Sequence, residues 1–389
     1  MANGKTFEWR VALVLFGVLF LGVSDNQLVP PLLAPIADNF EVSPGRAGII
    51  VTTYSLAAAA FALFAGPLSD RIGRKKVLAV GLTLFAAASF STQHVTTLGG
   101  LIAVRSLAGL AAGTLSTCAL SFAGDYYAYS ERGRAMGVLS MAYFLAFVVS
   151  APVGALMAPR WGWQSVFGSL AVLGIGILAL VLWQLPSPRH HEQAASILPR
   201  FANHFAVPDR LAGMVAAFLT SGGLVGYLTY VGAWLVNERE ISLDRIALIF
   251  MISGLAGVTA APFSGWLSDH VGKRNVIIWT NVLLAPAFVV VARLDWGVLL
   301  WMGIAFLGVA ASARQAPLHA LTTEIVGTEI RGEYTAVRNA ASQIGIASAA
   351  ALSAYAFDTA GFAGVSIVAA AFTALIPVSC IWLRERSSV

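Results

Sequence analysis

The sequence predicts an all-α integral membrane protein of twelve transmembrane helices in two pseudo-symmetric six-helix bundles. Its 389 residues are 58% hydrophobic and 11% charged, with a mean hydropathy of +0.78, whereas a soluble domain carries about 25% charged residues. Twelve apolar runs have the roughly 20 residues that a membrane-spanning helix needs. Landmarks of the first half recur in the second at a constant offset, which indicates an internal repeat.

The apolar runs and the composition between them predict the domain organisation. The predicted spans are 11–33, 46–69, 76–94, 98–122, 135–158 and 164–185, then 211–236, 244–267, 275–293, 297–320, 335–356 and 361–383. The polar, proline-containing stretch between the two sets is typical of a linker. We therefore expect a first bundle over residues 1–185, a cytoplasmic linker over 186–209 and a second bundle over 210–389.

The repeat is carried by three landmarks that share an offset of 199 residues. They are Asp70 and Asp269, Asp125 and Glu324, and the pairs Arg132-Gly133 and Arg331-Gly332. Each half thus carries charged turns after its second and fourth apolar runs.

The distribution of Lys and Arg predicts the orientation. With the N-terminus inside, sixteen of these residues fall in inner loops and tails and five in outer loops, a strong positive-inside bias. Both termini are therefore expected in the cytoplasm. The short loops favour a bacterial inner membrane.

Several classes of protein are excluded. The basic residues behind the pI of about 9.4 lie in short loops, where they act as topology signals rather than as a nucleic-acid surface. Cys118 and Cys380 lie inside apolar runs, as small buried hydrophobic residues do. The sequence has no metal-ligand spacing, nucleophile–base pair or Walker loop, so we expect neither an enzyme nor a cofactor.

The motif Gly66-x-x-x-Asp70-Arg71-x-Gly73-Arg74-Lys75 lies between the second and third predicted spans, and Arg105-x-x-x-Gly109-x-x-x-Gly113 lies on the fourth. Both resemble signature motifs that the major facilitator superfamily has at the same places. The chain resembles this family over essentially its whole length. Asp25 with Pro30, Pro31 and Pro35 resembles the first helix of the drug/proton antiporter branch. The fifth-helix signature of that branch survives only as small residues over 150–155, without its Gly-Pro pair. The resemblance implies two bundles around a central cavity.

The resemblance also implies a conformational latch at the cytoplasmic ends of the helices. Its members would be Gly66, Asp70, Arg71, Gly73, Arg74 and Asp125, with Asp269, Lys273 and Glu324 as the weaker counterpart. Such a cluster holds the two halves together in the outward-facing state through charge-assisted bonds. The alternative is that these charges only anchor the ends of the spans.

Asp25 is the one acidic residue predicted deep in a span. It lies roughly 22 Å along the first helix, and Arg105 lies roughly 10 Å into the fourth from the other side, at a rise of 1.5 Å per residue. We expect the two to face each other and to serve proton coupling, because ionisable groups inside a membrane are expensive and usually functional. A permanent structural ion pair is the alternative.

Further polar and aromatic residues are candidates for the substrate cavity: Asn26, Gln27, Tyr54, Tyr143, Tyr227 and Arg314. An aromatic cavity with one acid suits amphipathic or cationic organic compounds. Arg314 has no arginine counterpart in the first half, so it is expected either to meet an anionic substrate group or to cap carbonyls near the inner face. Ordinary packing is the competing interpretation for each aromatic residue.

The predicted function is secondary active transport by alternating access, as proton-coupled export of amphipathic or drug-like compounds. A proton-coupled uptake symporter or a uniporter for a metabolite or organic anion is the first alternative, and a lipid translocator the second. The expected partners are a small-molecule substrate, protons and the lipid bilayer, and the expected state is a monomer.

Overall fold

The computed structural model describes residues 7–186, 203–326 and 330–383. The six long helices of the first half are α1 Trp9–Asn39, α2 Ile49–Ile72, α3 Arg74–Ser91, α4 Leu98–Tyr126, α5 Tyr129–Trp161 and α6 Trp163–Gln184. Those of the second half are α7 Pro208–Asn237, α8 Leu243–Val271, α9 Lys273–Val291, α10 Val298–Ala313 with its continuation Gln315–Glu324, α11 over 331–360 and α12 over 362–374. A short helix, Pro44–Ala47, precedes α2, and Ile376–Cys380 continues α12.

Within these residues, eleven helices are long and apolar enough to cross a membrane. The last is a single run, Arg331–Ala374, in which Gly361 leaves the helical conformation with φ of 64°. Division at this glycine gives the twelve spans that the sequence predicts. Most of the predicted linker, residues 187–202, lies outside the described residues. We call inner the end of the bundle at which α1 begins, and outer the end at which it finishes.

The internal repeat extends to the backbone. Apart from the extended Gly297, all described residues with positive φ fall into three pairs, each with the 199-residue offset: Gly73 and Gly272, Gly162 and Gly361, and Glu41 and Glu240. The first pair ends α2 and α8, and the second separates α5 from α6 and α11 from α12. A left-handed residue at a helix end is normally glycine, because a Cβ is disfavoured there. The two halves therefore turn at equivalent positions.

Helix packing follows the same repeat. In the first half α1 packs on α5 and α2 on α4, while in the second half α7 packs on α11 and α8 on α10. The halves meet where α2 contacts α11, α5 contacts α8, and α1 contacts α7. Many large apolar side chains on the outside of the helices are exposed, such as Trp183 at 81% and Val298 at 74%. An apolar surface of this kind suits surrounding hydrocarbon rather than water.

Glycine allows the closest helix contacts. A Cβ on Gly109 or Gly113 of α4 would overlap the backbone of α2 at Tyr54 or Ala58. In the second half, a Cβ on Gly308 of α10 would overlap the backbone of α8 at Ser253. Gly109 and Gly308 are again 199 residues apart. Small residues let helix backbones approach where packing replaces the hydrophobic effect as the driving force for association.

Gly113→Ala is expected to destabilise the protein, because the new methyl group meets the α2 backbone rather than a movable side chain. Overpacking of this kind costs about 1–3 kcal/mol. Gly124→Ala, on the same helix, has no neighbour within 4 Å of its new Cβ and should be neutral or slightly stabilising. Thermal unfolding in detergent, followed by tryptophan fluorescence, compares the two variants. Equal melting temperatures would contradict the close α2–α4 contact.

Candidate functional site

Asp25 on α1 and Arg105 on α4 form a bidentate ion pair. Arg105 Nη1 donates to Asp25 Oδ1 at 2.6 Å, and Nη2 donates to Oδ2 at 2.9 Å. The side chains are 0% and 1% exposed, respectively. The two residues thus face each other directly, as their predicted depths suggested. Such a fork-to-fork contact is among the strongest polar interactions available to a protein.

Aromatic rings surround the guanidinium of this pair. Arg105 Cζ lies 4.9 Å from the centre of the Tyr54 ring and 4.8 Å from that of Phe167. The Tyr54 hydroxyl donates to the carbonyl oxygen of Gly22 at 3.4 Å. Cation–π contacts add to the ion pair, and they are stronger in a buried site than at the surface. All of these groups belong to the first half, so the pair lies inside that bundle.

The charged residues of the turn after α2 form ion pairs, as their motif suggests. Arg74 contacts Asp70 at 2.9 Å and Asp125 at 2.6 Å. In the second half, Lys273 contacts Glu324 at 2.5 Å. Arg74 can reach two carboxylates because its planar guanidinium presents donors in several directions, whereas the ammonium of lysine is compact. Gly73 and Gly272 make the adjoining turns with φ of 105° and 93°.

These inner ion pairs each join groups of one half. Gly66 lies against Thr117 of α4, which is also in the first half, and Arg71 and Asp269 are exposed. The structure thus brings Asp70, Arg74 and Asp125 together and joins Lys273 to Glu324. A latch between the halves stays a prediction.

The predicted cavity residues occupy different environments. Tyr54 and Gln27 are buried and Asn26 is half-buried. Tyr227 is buried in the second half, with its ring centre 4.5 Å from that of Phe288 and 4.8 Å from that of Phe362. Tyr143, in contrast, is 36% exposed. A common substrate cavity for the six residues stays a prediction.

Arg314 lies at a break in α10 that Pro317 explains. Proline has no N–H, so it leaves the carbonyl of Ala313, four residues earlier, without its helical partner. The hydroxyl of Ser264 on α8 donates to this carbonyl instead. Arg314 is 0% exposed and donates to Asn281 Oδ1 at 2.6 Å and to the carbonyl of Thr220 at 3.2 Å. It thus lies between α7, α9 and α10, in the core of the second half.

A second buried arginine of this half is Arg338, whose position at the start of the predicted eleventh span favours the inner loop region instead. Arg338 on α11 is 5% exposed. Its Nη2 donates to His319 Nδ1 at 2.8 Å, and its Nη1 lies 3.4 Å from the hydroxyl of Thr322. Of the 24 Lys and Arg residues, Arg105, Arg314 and Arg338 are the three that the counts of sixteen inner and five outer residues leave out. That remainder is the signal by which the sequence could have placed Arg338 inside a span.

The halves are in contact at the outer end. Asp358 on α11 accepts hydrogen bonds from the hydroxyl of Ser43 at 2.8 Å and from the backbone N–H of Gly45 at 3.1 Å. Gly232 on α7 lies directly against the backbone of Pro30 on α1. These contacts close the outer side of the interface between the halves.

A fold of two repeated helical bundles, with charged groups buried inside spans, defines a multi-pass membrane transporter rather than an enzyme. The chain belongs to the major facilitator superfamily, whose family model matches residues 14–243 and 213–389.

Curated relatives are similar along most of the chain. It is 25% identical over 345 residues to YceJ of Bacillus subtilis, an uncharacterised transporter of this type, covering 82% of this chain and 87% of YceJ. It is 27% identical over 289 residues to the purine ribonucleoside efflux pump NepI of Salmonella enteritidis, covering 73% and 68% of the two chains.

Solved structures show the same fold. The D-xylose–proton symporter superposes with a TM-score of 0.84 at 16% identity, over 98% of this chain and 99% of the symporter. A bacterial homologue of the human lysosomal transporter Spinster, in an inward-facing and occupied conformation, gives a TM-score of 0.77 at 16% identity over 98% and 97% of the two chains.

Arg105→Gln is expected to destabilise the protein strongly, because it leaves the Asp25 carboxylate buried without a counter-charge. Breaking a buried ion pair on one side costs about 3–5 kcal/mol. The double variant Asp25→Asn/Arg105→Gln removes both charges and should recover part of that loss. Thermal unfolding of the parent, the single variants and the double variant measures the coupling. If the decrease in melting temperature of the double variant equalled the sum of the decreases of the two single variants, a direct interaction would be contradicted.

Ser43→Cys and Asp358→Cys introduced together are expected to cross-link, because the native side chains are in hydrogen-bond contact. The native cysteines Cys118 and Cys380 are both buried, so they should not compete with the new pair. The cross-link should abolish transport in proteoliposomes, since it holds the outer side closed, and a reducing agent should restore it. Full transport by quantitatively cross-linked protein would show that this contact need not open.

Proposed function

We propose that this protein is a secondary active transporter that exports small amphipathic organic compounds in exchange for protons. One observation carries the proposal: among the described residues, Asp25 is the only buried carboxylate. Proton coupling needs a group that can gain and lose a proton inside the membrane. Ionisable residues there are costly to retain without a function.

The proton step follows from the Asp25–Arg105 geometry. In the paired state the carboxylate is ionised and accepts two charge-assisted hydrogen bonds from the guanidinium. When rocking of the halves admits water into the first bundle, Asp25 accepts a proton from the outer side and only then separates from Arg105. Return to the paired state expels this proton to the inner side, because a neutral carboxyl group cannot balance the charge of Arg105. Substrate that binds only when Asp25 carries no proton moves in the opposite direction, because the two are then never carried together.

The named activities of the relatives support export to different degrees. NepI is named an efflux pump and matches 73% of this chain, which favours outward movement of an organic solute. The xylose–proton symporter is only 16% identical, so it supports the fold alone. Direction and substrate class are thus part of the proposal.

A uniporter is the second candidate, and the same ion pair favours it. A bidentate pair that is excluded from water and lies inside one bundle is also the geometry of a permanent link between α1 and α4. In that case the substrate moves down its own gradient and Asp25 never takes up a proton.

We also propose the setting in which the transporter works. Both termini lie in the cytoplasm of a bacterial inner-membrane protein that acts as a monomer. The excess of Lys and Arg in the predicted inner loops supports this orientation.

Proton movement into substrate-loaded proteoliposomes tests the proposed exchange of substrate for protons. Vesicles containing the purified chain and the pH indicator pyranine are loaded with tetraphenylphosphonium, inosine or benzoate and diluted into substrate-free medium. Antiport acidifies the lumen as substrate leaves, whereas symport makes it more alkaline. Asp25→Asn should abolish the acidification while retaining substrate exchange between equal pools, which shows that the variant is folded. Asp38→Asn is the matched control, because Asp38 is an exposed acid on the same helix.

The outcomes separate the candidate functions. Acidification in the parent and in Asp38→Asn, absent in Asp25→Asn, supports exchange through Asp25. Substrate efflux with no pH change in the parent supports a uniporter. Acidification that is unchanged in Asp25→Asn overturns the role of this residue and leaves proton exchange at another group.

A further inference from the structure

Three arginines lie inside spans, and each is accommodated in a different way. Arg105 has the carboxylate of Asp25. Arg314 has only neutral oxygen partners and is enclosed in the core of the second half. Arg338 also has neutral hydrogen-bond partners, the ring of His319 and the hydroxyl of Thr322. No described carboxylate forms an ion pair with it. A buried guanidinium without a counter-charge is costly in a low-dielectric environment.

Exposed side chains lie beside Arg338, whereas Arg314 is enclosed in the core of its half. Its partner His319 is exposed although it lies on the spanning helix α10. Tyr143, on α5 of the first half, is also substantially exposed and lies within electrostatic range of Arg338. Exposed side chains from both halves thus lie near this guanidinium. Arg338 is seven residues from the start of α11, so it lies roughly 10 Å from the inner end.

The guanidinium retains binding capacity in this arrangement. Its Nε is buried and has no hydrogen-bond partner among the described residues, and its contact with Thr322 is long at 3.4 Å. Nε and one Nη of arginine form a fork that matches the two oxygens of a carboxylate. A carboxylate would also supply the missing negative charge.

We propose that Arg338 and His319 form a subsite for the carboxylate group of a small amphipathic organic anion, with the ring of Tyr143 beside its apolar part. The His319 Nδ1 atom, which accepts the Arg338 hydrogen bond, orients the fork toward the interface. This subsite rests on the proposed transport function and specifies its substrate class. Its position between the halves exposes a bound anion to the movement of one half against the other.

Binding to the purified full-length chain in detergent tests the subsite by isothermal titration calorimetry. The probes are monocarboxylates from hexanoate to decanoate together with benzoate and naphthoate, each beside its uncharged amide. At least one carboxylate should bind with a clear preference over its amide. Arg338→Gln should weaken this binding about 10- to 100-fold, the range expected for loss of charge-assisted hydrogen bonds. Arg338→Lys keeps the charge but loses the fork, so its affinity for the carboxylate should lie between those of the parent and Arg338→Gln.

Two controls separate binding from folding and from proton coupling. Arg314→Lys changes the other buried arginine of the second half and should leave carboxylate binding unchanged, and thermal unfolding confirms that each variant is folded. Asp38→Asn, at an exposed acid outside both proposed sites, should bind the carboxylate like the parent. Carboxylate binding by a parent chain that shows no proton exchange would sink the proposed exchange and keep the subsite.

Two results would overturn the subsite. One is the absence of any preference for carboxylates over amides across all probes. The other is undiminished carboxylate binding by folded Arg338→Gln. Proton exchange driven by tetraphenylphosphonium or inosine, together with either result, would keep the transport function and reject the anionic substrate.

Discussion

The need to pair or solvate every charge inside hydrocarbon shapes the functional parts of this protein. Burying an ion in a low-dielectric medium costs several kcal/mol even after the protein relaxes. Asp25 and Arg105 meet this need with each other, and Arg314 meets part of it with an amide and a carbonyl at a helix break. Arg338 is left with neutral partners beside exposed side chains. Of the two buried arginines without a carboxylate partner, Arg338 is therefore the one that lies near groups of both halves.

The two halves share their turns and helix packing but differ in their buried polar groups. Turns, close glycine contacts and inner ion pairs repeat at the 199-residue offset. The residues at the same offset from Asp25, Arg105 and Tyr54 are Leu224, Ile304 and Ser253. In the other direction, Leu115 occupies the position equivalent to Arg314. The positions that set turns and helix packing repeat because both halves must pack alike, whereas Asp25, Arg105 and Arg314 have apolar counterparts in the other half.

Much of this fold was accessible from the sequence because its determinants are local. Span length, loop charge and the repeated basic turn, Gly73-Arg74-Lys75 and Gly272-Lys273-Arg274, all lie in contiguous residues. The structure confirms the twelve-helix, two-bundle architecture. The facing of Asp25 and Arg105 followed from their depths. The contacts of Arg338 did not, because nothing in the sequence around it shows that His319 on another helix accepts its hydrogen bond. The aromatic surroundings of Tyr227 could not be predicted from the sequence either, since only the packed structure places Phe288 and Phe362 around it.

The location of the ion pairs has a consequence for the kinetics of the conformational change. Every ion pair among the described residues joins groups of the same half. Asp358 crosses between the halves, but it bonds a hydroxyl and a backbone N–H. Rigid movement of one half against the other thus keeps these ion pairs intact. The barrier then comes mainly from the repacking of apolar and backbone surfaces, and its height should depend little on ionic strength.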